Sequence, residues 1–67
     1  MSLAKVIEVI AEGDTIEQAV ENAVKQASET VQNIKNINCE NIQAIVTNNS
    51  IEKYRVNAKV TFVLGKS

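Results

Sequence analysis

Few side chains in this sequence are equipped for chemistry. The chain has 67 residues, no histidine and a single cysteine, Cys39. Without histidine there is no ordinary general base poised near neutral pH. A carboxylate would need a large shift through burial to replace it, and no paired acidic motif suggests one. Cys39 has only Lys35 near it in sequence, which does not activate a thiolate; it reads as a small half-buried residue. Arg55 sits in an alternating stretch. It reads either as an anion contact in a cleft between subunits or as a salt bridge to a neighbour's Glu40 or Glu52. Hard cations need several converging oxygens. Glu12, Asp14, Glu40, Asn36, Asn38 and Asn41 could supply them where copies meet, although no EF-hand spacing is present. These residues point to binding, and no enzyme is expected.

Composition narrows the class further. One cysteine excludes an intrachain disulfide, and the lack of histidine excludes Cys/His zinc spacing. The net charge of −1 argues against a nucleic-acid or anionic-membrane footprint. Apolar runs are too short to span a bilayer, and the first residues lack signal-peptide organisation. A soluble cytoplasmic protein with a single domain over 1–67 is expected. A domain this small buries little surface and is marginal alone, so association between copies is the expected remedy.

The element that must position these groups is Asp14–Lys35. Ile16, Ala19, Val20, Ala23, Val24, Ala27, Val31 and Ile34 recur at helical spacing and form one apolar stripe. Asp14 with Glu17 reads as a capping box, released from the preceding segment by Gly13. Ser28 and Thr30 read as packing or back-bonding residues within that helix. The small stripe suits the flat surface of a β-sheet. Ala4–Ala11 reads as a strand that is apolar on both faces. Ile37–Thr47 is a strand whose asparagine-rich start suggests a bulge or loop. Asn48-Asn49-Ser50 is a turn. Ile51–Leu64 is the strongest strand, with Tyr54, Val56, Ala58, Val60, Phe62 and Leu64 toward the helix. Gly65-Lys66-Ser67 reads as a frayed tail.

The order is therefore β-α-β-β, an α+β fold with one amphipathic helix on a three-stranded antiparallel sheet. A hairpin joins the last two strands, and one helix returns the chain between the first two. An all-antiparallel sheet then needs strand order 1-3-2. At roughly 3.3 Å per residue the last strand should run about 46 Å, against about 30 Å for the helix. The overhang, together with outer-face Val6, Ile10, Ile45 and Val63, predicts a symmetric homo-oligomer.

The opening KVIEVI, the helix pattern xxAVxxAVxxAS, the run TVQNI and the ending YRVNAKVTFVL resemble the dodecins, over roughly Lys5–Leu64. The resemblance implies a hollow homododecamer that binds and stores flavins. It also implies where ligand groups should lie. A family tryptophan that stacks on the flavin ring matches Asn36. A family glutamine that bonds the flavin's polar edge matches Arg55, which offers donors only. A bacterial arginine that holds the flavin phosphate matches Gln43. An amide at position 36 removes a stacking contact worth about 1–3 kcal/mol, by analogy with base stacking. Flavin binding is thus expected to be weakened or lost. The pattern is closer to the tryptophan-less dodecin-like proteins, some described as calcium-binding. A calcium-binding oligomer and a ligand-free structural assembly are the alternatives.

Overall fold

The computed structural model describes residues 3–65. Residues 66 and 67 of the expected tail lie outside this range. Strand β1 spans Leu3–Gly13, helix α1 Ile16–Ser28, strand β2 Ile34–Thr47 and strand β3 Ser50–Leu64. The sheet is antiparallel throughout, in the order β1-β3-β2, as the connection lengths require.

The helix is shorter than its periodicity suggests, and its cap is shifted by one residue. Thr15, not Asp14, is the N-cap: its backbone is extended and its Oγ1 accepts from the Gln18 amide at 3.0 Å. That satisfies one of the amides left free by the first turn. At the other end the Ser28 hydroxyl donates to the Lys25 carbonyl at 2.8 Å, and the Thr30 hydroxyl to the Ala27 carbonyl at 3.2 Å. These bonds compete with helix continuation. Asn33 then turns the chain with φ of 62°, a left-handed conformation that asparagine tolerates. Ile34, expected on the helical stripe, is the first residue of β2 and pairs with Phe62.

The core is small and close. Ala19, Ala23, Ala27, Val56, Ala58 and Val60 are buried almost completely. Alanines on the helix let it lie near the sheet, so that Val56 and Val60 contribute about 1.5–3 kcal/mol each. Gly13 is required by the same closeness: a Cβ there would sit 2.5 Å from the Ala19 nitrogen. The helix lies over β1 and β3 and only touches the margin of β2.

Strand β2 keeps its pairing through its asparagine-rich start by bulging. Lys35 and Glu40 are each an extra residue against β3, and Glu52 is an extra residue on β3 near the tip. A bulge absorbs one residue and restores the side-chain alternation that burial demands. The hairpin closes on Asn48 and Asn49, with φ of 53° and 62°. Two left-handed residues make the two-residue turn whose twist matches its strands.

The 13-residue helix covers about 20 Å, whereas the 15-residue β3 runs about 50 Å. The chain is 52 Å long and 18 Å wide. The overhang is therefore larger than the sequence suggests. Val46 and Ile51 lie in it, and each is more than half exposed, while Ile42, opposite the buried Val56, is exposed on the strand that the helix hardly reaches.

Candidate functional site

The sheet's outer face, away from the helix, carries the polar side chains in rows set by register. Glu12, Arg55 and Gln43 form one row, because Glu12 and Gln43 are the two partners of Arg55. Ile10, Asn57 and Asn41 form the next, then Glu8, Lys59 and Asn38, then Val6, Thr61 and Asn36.

Within the first row Arg55 turns toward β1. Its Nε and Nη2 donate to Glu12 Oε2 at 2.9 and 2.8 Å. Lys53 Nζ meets Glu12 Oε1 at 2.9 Å. Both oxygens of one carboxylate are thus held by cations. Lys53 and Arg55, through hydrogen bonds and charge, hold the Glu12 carboxyl below its ordinary range. The same residue anchors the helix, since Asn22 Nδ2 donates to the Glu12 carbonyl at 2.7 Å.

This cluster stands at the mouth of a cleft of about 490 Å³ between the β1 edge and the helix. Its walls are Ile10, Ala11, Glu12, Asn22, Gln26 and Arg55. One apolar wall facing carboxamides and a neutralised ion pair can hold a small, flat, polar-edged molecule. A second cleft, of about 260 Å³, lies at the far end between the helix exit and Phe62–Gly65.

The family model described as Dodecin matches residues 3–65. The chain belongs to the dodecin family. Solved dodecins share its fold from end to end. The dodecin of Streptomyces coelicolor is 27% identical, with a TM-score of 0.88 over 98% of this chain and 96% of that one. The dodecin of Streptomyces davaonensis is 21% identical, with a TM-score of 0.89 over 97% of each chain. An arginine-to-alanine variant of Thermus thermophilus dodecin is 19% identical, with a TM-score of 0.89 over the whole of both chains. No curated protein matches the chain at comparable strength. Dodecins are a family of flavin-binding oligomers.

The three residues that the resemblance matches to ligand positions are spread over the chain. Gln43 and Arg55 are cross-strand neighbours. Asn36 pairs with Thr61, six positions along β3 from Arg55 and so about 20 Å away. The residues also fit a flavin ring poorly. The two aromatic side chains, Tyr54 and Phe62, both belong to the helix side of β3, and Phe62 is buried. The outer face thus presents carboxamides and charges where a ring would need a stacking partner. Cys39 is half-buried opposite Ala58, as its surroundings in the sequence suggest.

Glu12 is the residue that sequence reasoning undervalued, as a possible metal oxygen only. Arg55 is expected to meet an anion in a cleft between subunits or a neighbour's Glu40 or Glu52; within its own chain it pairs with Glu12. In the same chain Glu40 accepts from Asn38 at 2.8 Å and lies 3.8 Å from Lys59, and Glu52 accepts from Thr47. A signal for Glu12 was present. Glu8 with Lys59 and Glu12 with Arg55 are opposite in charge at one common register of β1 on β3, so charge complementarity alone could have paired them.

Proposed function

We propose that this dodecin is a homo-oligomeric small-ligand binding and storage protein, assembled as a dodecamer, in which flavin recognition is weakened. The observation that carries the reading is the clasped Arg55 beside Gln43 at the cleft mouth, in a chain that is dodecin over its whole described length. The ligand site is an intersubunit cleft lined by Asn36, Gln43 and Arg55. Asn36 comes from a second copy, because it is too far along the sheet to serve its own Arg55. The protein binds rather than transforms, and it works in the cytoplasm. No helix among the described residues is long and apolar enough to cross a membrane.

Titration with riboflavin and FMN, followed by flavin fluorescence, tests this reading. Weak or partial quenching is expected. Strong quenching at micromolar protein would show that recognition is intact without the tryptophan. No binding of any small molecule, together with a ligand-free assembly by native mass spectrometry, would favour a purely structural role. Among the described residues no three Cys, Asp or Glu side chains converge on one point. A calcium site would draw on carboxylate, asparagine and backbone oxygens where copies meet, and saturable heat in calorimetry with calcium would reveal it.

A further inference from the structure

We propose that Glu12 is an internal counter-anion that sets the charge class of ligand the cleft accepts, disfavouring phosphorylated molecules against uncharged ones. The proposal rests on the reading of the Arg55 cleft as a ligand site. Two cations and one carboxylate meet there, which leaves a single positive charge. That charge is not freely available. The Nε–Nη2 edge of the guanidinium, the fork that would take a phosphate in two parallel bonds, is spent on Glu12 Oε2. Lys53 is held by the other oxygen.

A phosphoryl group entering beside Arg55 must displace the carboxylate or sit against it. Displacement breaks three charge-assisted contacts, and close approach sets like charges a few ångströms apart. A neutral ligand meets neither obstacle. It can use the Gln26 carboxamide and the Ile10 wall while the ion cluster stays intact. Gln43, which flanks Arg55 on β2, and Asn22 and Gln26 on the helix are uncharged. Glu12 is therefore the acidic group that decides the matter. Its carboxyl is held ionised by the same contacts, so the exclusion operates throughout the neutral range.

Inorganic pyrophosphate is a sufficient probe. Calorimetry at fixed ionic strength should show Glu12→Gln binding pyrophosphate about tenfold tighter than the unaltered protein, since one opposing charge at close range has been removed. Equal or weaker binding would overturn the proposal. In a second arm, the ratio of FMN to riboflavin affinity should rise about tenfold in Glu12→Gln, and an unchanged ratio would also overturn it. If neither flavin binds either protein, the ligand-storage reading falls, while the pyrophosphate arm still decides the role of Glu12. Should Glu12→Gln fail to assemble, the double variant Glu12→Gln with Lys53→Met keeps the single positive charge but frees Arg55. It should bind pyrophosphate more tightly than the unaltered protein, and no gain would count against the proposal.

Discussion

The two halves of β3 obey the same alternation and meet opposite fates. From Val56 to Phe62, inward side chains press on helical alanines and are buried. From Ser50 to Tyr54 the strand passes beyond the helix, and Val46 and Ile51 stand more than half exposed. One half is finished within the chain. The other carries the apolar content of a core beyond the reach of its own helix. What differs is reach: 13 helical residues rise only about 20 Å along a strand of about 50 Å. Apolar patterning on a strand therefore says that a face is to be covered, but not by which chain. The polar cluster of Glu12, Lys53 and Arg55 stands at the border between the halves, where the helix begins.

The comparison can be broken most severely in the overhang. Val46→Asp combined with Ile51→Asp should abolish the proposed dodecamer, leaving small species in sedimentation or native mass spectrometry. Retention of the full assembly would mean that the exposed half does not mediate association. In the covered half, Val56→Ala should cost about 2 kcal/mol by denaturant unfolding, because it opens a void beneath a helix that cannot settle further. Oligomer size in that variant should stay unchanged in native mass spectrometry.

Smaller effects sharpen the border. Thr15→Ala removes the N-cap oxygen and should cost about 1 kcal/mol, whereas Asp14→Ala should cost clearly less in the same unfolding series. The Glu12 cluster should show itself through pH. The Glu12 carboxyl lies below its ordinary range in the folded chain, through Lys53 and Arg55. Its stabilisation is therefore fully present above the ordinary glutamate range and is lost as pH falls through the lowered value. Unfolding measured down to mildly acidic pH should show a loss that Glu12→Gln lacks. Because the group is half-exposed, the effect should be modest and reduced by salt.

Much of this architecture was legible from residue order. Alternation in 51–64, helical spacing from Ile16 to Ala27 and a two-asparagine turn lead to β-α-β-β and to the 1-3-2 sheet, because one return helix and one tight hairpin leave few other arrangements. The boundaries were less legible. Val31 and Ile34 continue the helical spacing, but the hydroxyls of Ser28 and Thr30 and the left-handed Asn33 end the helix first. Periodicity counts apolar positions and is blind to such local bonds. Thr15 and Gln18 also satisfy a capping pattern, one residue along from Asp14 and Glu17. The folded backbone selects Thr15, whose Oγ1 meets the Gln18 amide.

The kinds of surface this protein would bury, and the order in which its elements follow, were set by the chain of residues alone. They depend on spacing between neighbours, which a linear string records in full. The partner of Arg55, the cleft beside it and the 20 Å between Asn36 and that cleft emerged only on folding. Contacts across 43 positions of sequence depend on register and bulges, and a single slipped residue would have turned the whole row to the other face.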